Sequence, residues 1–165
     1  MNNSVITETG KKIMLDRATD WRNVPANIDE YFGFVYLIEN LKEGKFYIGK
    51  KFFHYTEKKP PLKKTGKKRM RKAIKETDWR NYWGSSNELL KDIERLGVLN
   101  FRRTILKCYK TKWECAYYEA KFQIDEGVLL KTNYYNGIIR CRFPKAPKHL
   151  QYTTLSTDIE YEDLN

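Results

Sequence analysis

Two short apolar stretches joined by a polar turn begin the patterned part of the chain. Residues 35–40 read VYLIEN and residues 44–50 read GKFYIGK, so β-branched and aromatic side chains are bounded by asparagine and glycine. Runs of this kind with a tight polar connection are typical of paired strands. The sequence therefore predicts a β-hairpin over residues 33–49.

Two capping patterns then predict helices. Ser85 precedes Glu88 by three positions, and Thr111 precedes Glu114 by three. In such a pair the hydroxyl and the carboxylate satisfy free N–H groups at the start of a helix. Apolar residues recur at helical spacing after each cap, and a glycine ends each pattern. The predicted helices contain Leu89, Leu90, Ile93 and Leu96 before Gly97, and a face of Trp113, Ala116, Tyr117, Ala120 and Ile124 before Gly127.

The remaining stretches complete an α+β order. Residues 101–109 have the apolar pattern of a strand. Residues 50–66 contain two adjacent prolines and a glycine, which predict a loop, and the basic run over residues 67–76 predicts a short helix. Residues 134–139 predict a last short strand or turn. The expected fold is a small antiparallel sheet covered by helices.

Length and composition fit one compact domain with tails. The chain has 165 residues, 41% of them hydrophobic and 15% aromatic, which suffices for a packed core. We predict an N-terminal extension over residues 1–30, a folded domain over residues 31–143 and an acidic, flexible or loosely docked C-terminal tail over residues 144–165. Within the domain, residues 50–76 form a strongly basic insertion.

The charge balance indicates a polyanionic partner. The formal net charge is +11, which suits DNA, RNA or an acidic membrane surface. No apolar run is long enough to cross a membrane, no basic helix has a broad apolar face, and the N-terminus lacks a signal-peptide pattern. A cytoplasmic protein is therefore expected. The odd number of cysteines, without a signal peptide, argues against a disulfide framework. The gap between Cys108 and Cys115 does not fit a zinc site, and Cys141 provides no second pair.

Aromatic residues follow the basic insertion. They have two interpretations: packing against the next helix, which we favour, and stacking on an unpaired base. The residues concerned are Trp79, Tyr82 and Trp83.

Each strand of the predicted hairpin carries one tyrosine. Tyr36 closes the run GFVY over residues 33–36, and Tyr47 opens the run YIG over residues 47–49. The two runs resemble the signature of the GIY-YIG nuclease family, although the first departs from Gly-Ile-Tyr. The alternative is a pair of core aromatics in an ordinary hairpin. The resemblance covers residues 33–139 and implies a three-stranded antiparallel sheet flanked by helices, and hydrolysis of DNA phosphodiester bonds.

The resemblance also implies a one-metal site. Glu119, on the helix capped by Thr111, is similar in context to the family's single metal-binding glutamate and would hold Mg²⁺ or Mn²⁺. Glu114 is the rival carboxylate, but its capping role accounts for it. Tyr47 would deprotonate the attacking water, through Tyr36 or a further water where needed.

The cation that stabilises the transition state is harder to assign. The family places an arginine soon after the second strand, but residues 50–59 contain none. We therefore expect Arg71, with Arg69 as the alternative, in this role; a plain phosphate-backbone contact is the other interpretation. Lys50 would contact the scissile phosphate. His54 or Tyr55 is a further candidate for proton transfer.

The same resemblance suggests the DNA contacts. A Tyr-Asn pair follows the glutamate helix in the family, and Tyr135-Asn136 matches it, although asparagine before Gly137 is also a turn signal. The expected partner is double-stranded DNA, bound by a monomer or a transient dimer, in a bacterial host's cytoplasm if the protein is phage-borne. The predicted DNA-binding residues are Lys50, Lys51, Lys67, Lys68, Arg69 and Asn136.

The sequence thus predicts a small magnesium-dependent DNA endonuclease, similar to phage-borne or mobile-element members of the family. The competing hypothesis is a non-catalytic DNA- or RNA-binding module on the same fold, which the charge and aromatic content would serve equally. The two differ in whether both tyrosines, an arginine and Glu119 converge in one concave site.

Overall fold

The computed structural model describes residues 19–60 and 70–152. None of the helices in these two stretches is long and apolar enough to span a bilayer. Short 3₁₀ turns lie at Ile28–Glu30, Trp79–Asn81, Val98–Asn100 and Lys148–Leu150. The strands and helices are β1 (Gly33–Asn40), β2 (Lys45–Phe52), β3 (His54–Lys59), β4 (Arg71–Glu76), α1 (Asn87–Leu96), β5 (Phe101–Tyr109) and α2 (Lys112–Asp125).

The main sheet has three antiparallel strands in the order β2-β1-β5. β1 and β2 are the predicted hairpin, with β2 continuing to Phe52, and β5 is the predicted strand after α1. The expected α+β fold, a three-stranded antiparallel sheet flanked by helices, is confirmed. β3 and β4 add a separate two-stranded antiparallel sheet.

Alternate side chains of β1 enter two cores, because successive residues of a strand face opposite sides of a sheet. Both faces of this central strand are therefore buried. The first core contains Trp21, Phe34, Tyr36, Ile38, Phe53, Trp79, Leu89, Phe101, Ile105 and Tyr135, with Tyr82 and Trp83 packed against it. The second core contains Val35, Ile48, Tyr109, Cys115 and Val128. The packing interpretation of the aromatic residues after the insertion is thus confirmed.

Both capped helices are confirmed, and the first begins one residue later than predicted. The hydroxyl of Ser86, rather than Ser85, accepts a hydrogen bond from the Leu89 N–H group. The hydroxyl of Thr111 accepts from the Glu114 N–H group and donates to the Glu114 carboxylate. Ser85 therefore does not cap this helix.

The prediction for the basic insertion was wrong. Residues 54–59 form a strand rather than part of a loop, and residues 71–76 form its partner rather than a helix. Ion pairs join Glu57 to Lys75 and to Lys59. Lysine, arginine and glutamate favour helices locally, but here pairing between distant residues decides the conformation. Residues 61–69, including most of the expected helix start, lie outside the described residues.

The buried face of α2 also differs from the predicted one. Cys115, Ala120 and Gln123 are buried, whereas Ile124 is 57% exposed. The aromatic rings predicted for the buried face lie elsewhere: Trp113 and Tyr117 stack on each other. The Trp113 indole N–H donates to the Pro144 carbonyl at 3.0 Å, so the start of the C-terminal tail packs on this outer face. Residues 153–165 lie outside the described stretches.

A buried arginine joins β5 to the connection between β4 and α1. The Arg103 guanidinium lies over the Trp83 ring at 4.0 Å, and burial lowers the pKa of Arg103 to about 10. It therefore stays charged at neutral pH, and backbone carbonyls satisfy it. These carbonyls belong to Thr19, Arg80 and Tyr82.

Arg103→Met should lower the free energy of unfolding by about 3 kcal/mol, because it leaves partly buried carbonyls without donors. Urea unfolding followed by far-UV circular dichroism measures the loss. Arg102→Met is the matched control, since Arg102 pairs with Glu39 at a more exposed position of the same strand and should cost much less. Equal losses in the two variants would contradict the assigned role.

Candidate active site

A groove of about 450 Å³ crosses the outer edge of β2. A smaller hollow of about 280 Å³ adjoins it and shares Tyr47, Lys50, Ser85 and Glu119. Both therefore belong to one concave surface. The groove is lined by Tyr47, Lys50, Ser85, Ser86, Glu119, Gln123, Tyr135, Asn136, Gly137, Ile138 and Arg140.

The groove brings together side chains from opposite faces of the sheet. Tyr47 lies opposite Ile38, on the face of the first core, whereas Lys50 lies opposite Val35, on the face that packs against α2. Residues on opposite faces of an inner strand cannot share a pocket, but β2 is an edge strand. The groove wraps around that edge and so reaches both.

Gly49 opens the path between the two faces. A Cβ atom at this position would lie 2.5 Å from the Tyr36 hydroxyl oxygen and 3.0 Å from Cε1 of Tyr47. Tyr36 lies directly opposite Gly49 in the β1–β2 ladder. Its ring can cross the strand to the edge only because position 49 has no side chain.

Four hydroxyl groups meet at this edge. The Tyr47 hydroxyl lies 3.1 Å from the Ser85 hydroxyl, and Tyr36 and Tyr82 line the same hollow. Burial is the main cause that raises the pKa of Tyr36 well above its ordinary value, and the neighbouring Tyr47 adds to the effect. Burial likewise raises the pKa of Tyr82. Tyr36 and Tyr82 therefore remain neutral hydrogen-bonding groups at physiological pH.

An ion pair occupies the α2 side of the groove. The Lys50 ammonium contacts the Glu119 carboxylate, whose side chain is 19% exposed. Glu119 thus faces the sheet rather than solvent, as its predicted role requires. The structure brings Tyr47, Lys50 and Glu119 together, with Tyr36 in the adjoining hollow.

Side-chain amides tie the groove wall to β2. Asn136 accepts from the Ile48 N–H group at 3.0 Å and donates to the Ile48 carbonyl at 2.8 Å. Gln123 of α2 donates to the same carbonyl at 2.9 Å. The Asn136 amide therefore fixes the segment after α2 along the strand, and its second N–H donor remains for a ligand.

Tyr135 has a structural role beside this segment. Its hydroxyl donates to Asp92 at 2.9 Å and accepts from the Asn40 amide at 2.8 Å. Burial raises its pKa to about 12. The hydroxyl is fully engaged between α1 and β1, which leaves only its ring at the groove.

Several predicted site residues lie outside the main groove. Arg71 is at the end of β4 far from β2 and donates to the Pro60 carbonyl. Lys51 lines the adjoining hollow, where it pairs with Asp78 and lies over the Tyr82 ring. His54 and Tyr55 line a separate cavity near residues 29–32. Lys67, Lys68 and Arg69 lie outside the described residues.

Sequence reasoning missed other groove residues. The capping pattern predicts Ser85 as the helix cap, whereas Ser86 is the cap, and the predicted apolar face of α2 does not include the buried Gln123. Both errors follow from small shifts in local register. No local sequence pattern identifies Arg140 as a groove residue, because its position in the groove depends on the contacts that anchor the preceding residues to β2.

Comparison with known proteins gives one family. A family model described as "Putative endonuclease segE, GIY-YIG domain" matches residues 7–139. The curated protein "Putative endonuclease segE" of Enterobacteria phage T4 is 34% identical over 105 residues, which is 64% of this chain and 40% of that protein. The chain thus spans about two fifths of the length of this relative. No solved structure gives a significant match.

Gly49→Ala should lower the free energy of unfolding by about 1–3 kcal/mol, because the new methyl group overlaps the buried Tyr36 ring. Gly137→Ala is the matched control, since nothing lies within 4 Å of a Cβ atom there. Chemical denaturation of both variants measures the difference. The packing argument fails if the two unfold at the same denaturant concentration.

Asn136→Ala should speed hydrogen exchange of the Ile48 amide on the order of 10-fold, because one hydrogen bond is worth about 1–1.5 kcal/mol. Hydrogen–deuterium exchange resolved by NMR makes the measurement. Asn133→Ala serves as control, since Asn133 uses only its backbone carbonyl to hold Phe46. Unchanged protection of Ile48 in the Asn136 variant would refute the anchoring role.

Proposed function

The chain belongs to the GIY-YIG family, and we propose that it is a metal-dependent endonuclease that hydrolyses phosphodiester bonds of double-stranded DNA. The observation that carries the proposal is the convergence of Tyr47, Lys50 and Glu119 on one groove. A module that only binds nucleic acid needs no such meeting of a hydroxyl, an ammonium and a carboxylate. The relative described above is a protein of phage T4, so the proposed location of this protein is the cytoplasm of a bacterial host.

Tyr47 is the proposed proton acceptor for the attacking water. Its hydroxyl lies in the groove, and Ser85 holds it by a hydrogen bond of 3.1 Å. Tyr36 suits this role less, because burial raises its pKa and keeps its proton in place. Tyr36 would instead stabilise the cluster of hydroxyl groups that it forms with Tyr47, Tyr82 and Ser85.

Glu119 is the proposed ligand for Mg²⁺ or Mn²⁺. Mg²⁺ is commonly held by one or two carboxylates together with substrate phosphates and water, and Glu119 supplies one carboxylate whose present partner is a cation. Among the described residues no group of three or more His, Cys, Asp or Glu is placed to hold a metal, which agrees with a site that DNA completes. The bound ion would neutralise charge on the phosphate and the leaving oxygen.

Lys50 has two successive partners in this proposal. In the free protein its ammonium pairs with Glu119, which offsets the cost of removing the carboxylate from water. Once Glu119 holds another cation, the ammonium is available to a phosphate oxygen. Lys50 then positions the scissile phosphate beside Tyr47.

The β3–β4 hairpin is the proposed contact for the rest of the duplex. Lys58 lies opposite Lys72 and Lys59 opposite Arg71. Like charges placed directly across a sheet repel each other, and nearby phosphates would remove that repulsion. Such contacts supply affinity that falls with salt and carries no sequence preference. A monomer, or a transient dimer on DNA, remains the expected form.

Glu119→Gln should reduce Mg²⁺-dependent cleavage on the order of 100-fold or more, since metal-assisted charge stabilisation is worth several kcal/mol. The assay follows supercoiled plasmid and a long phage DNA, with Mg²⁺ and with EDTA. Asp125→Asn is the control, because it removes one carboxylate from the exposed side of the same helix. Retained cleavage by the Glu119 variant would refute the metal-ligand role. Intact DNA with salt-sensitive binding would favour the binding module.

A further inference from the structure

We propose that Arg140 binds the scissile phosphate and stabilises the negative charge that develops on it during cleavage. This inference rests on the proposed function and assigns a catalytic residue to it. Arg140 lines the groove together with Tyr47, Lys50 and Glu119. It comes from the irregular segment after α2 rather than from the insertion in which an arginine was expected.

The backbone before Arg140 is held firmly along β2. Asn136 bonds to both backbone groups of Ile48, and Tyr135 donates its N–H group to the Phe46 carbonyl. Ile139 packs against the second core. These anchors bring the segment to the edge of the groove, within four residues of Arg140.

Arg140 is also free to take a ligand. Among the described residues it has no hydrogen-bond or ion-pair partner, whereas Lys50, the other cation lining the groove, pairs with Glu119. A guanidinium presents planar paired N–H donors that match two phosphate oxygens.

Most other described arginines are already engaged or lie away from the groove. The backbone of Arg22 pairs with that of Thr104 along the outer edge of β5, so Arg22 lies at the opposite edge of the sheet from β2. Arg71 lies at the far end of β4, and Arg142 is exposed but does not line the groove. Arginines that bond to protein groups are Arg80, Arg95, Arg102 and Arg103.

The chemistry needs a cation at this place. The water oxygen forms a bond to phosphorus while its proton passes to the phenolate form of Tyr47, and the bond from phosphorus to the leaving sugar oxygen breaks with its electron pair. The leaving oxygen then takes up a proton, and a phosphate monoester and a free hydroxyl result. Charge spreads over the oxygens that do not leave. Donors aimed at them stabilise the transition state more than the ground state.

The test compares Arg140→Ala, Arg140→Lys and Arg142→Ala with the unmodified protein. Single-turnover cleavage at saturating protein is measured with Mg²⁺, and DNA affinity is measured separately in Ca²⁺ across a range of salt. Arg140→Ala should cleave on the order of 100-fold more slowly, with no greater loss of affinity than Arg142→Ala. Arg140→Lys should recover only part of the rate, because it lacks the paired donors.

Added guanidinium ion provides a readout that a structural role would not give. It should raise the rate of Arg140→Ala at least several-fold and leave Arg142→Ala unchanged. Cleavage by Arg140→Ala at the rate of Arg142→Ala would overturn the inference, as would slow cleavage by Arg71→Ala or Arg69→Ala together with normal cleavage by Arg140→Ala. If the unmodified protein leaves DNA intact, the proposed function itself fails, and the role of Arg140 fails with it.

Discussion

The outer edge of β2 is the constraint on which the groove depends. An edge strand leaves backbone N–H and C=O groups without a strand partner, and these groups need other partners when they are buried. Here the segment after α2 supplies them: Phe46 bonds to the backbone of residues 133 and 135, and Ile48 bonds to the Asn136 side chain. The same hydrogen bonds that protect the edge hold one wall of the groove in place. The same contacts therefore protect the edge of the sheet and build one wall of the site.

Gly49 allows side chains from both faces of β2 to reach this edge. An edge strand separates two faces, and a side chain at position 49 would close the passage between them. Because that side chain is absent, the Tyr36 hydroxyl approaches the edge from the first core, while Lys50 and Glu119 approach from the second. Hydroxyl groups and the ion pair consequently meet on one surface although they belong to different cores. The glycine of the YIG run is thus explained by packing as well as by family resemblance.

Local chemistry determined the parts of the structure that the sequence could predict. Helix caps and the apolar hairpin depend on residues a few positions apart. The β3–β4 hairpin depends on pairing across residues 61–69, and its charged side chains give no apolar alternation. In the groove, Tyr47 and Glu119 belong to recognisable local patterns, so they could be proposed from sequence. Arg140 reaches the groove because Asn136 is bonded to another strand, and no pattern around residue 140 encodes that contact.

The ion pair between Lys50 and Glu119 links the two binding events of the proposed function. A half-buried carboxylate is costly without a cation, and Lys50 supplies that cation while the groove is empty of DNA. In the proposed function a divalent ion at Glu119 would displace the ammonium, and a DNA phosphate would offer the ammonium a new partner. Each ligand would thereby remove part of the cost of binding the other, which is positive coupling between metal and DNA. Under the proposed function the hydrolytic state would form mainly on DNA, where Arg140 would contact its phosphate, whereas in the free protein Lys50 and Glu119 stay paired with each other.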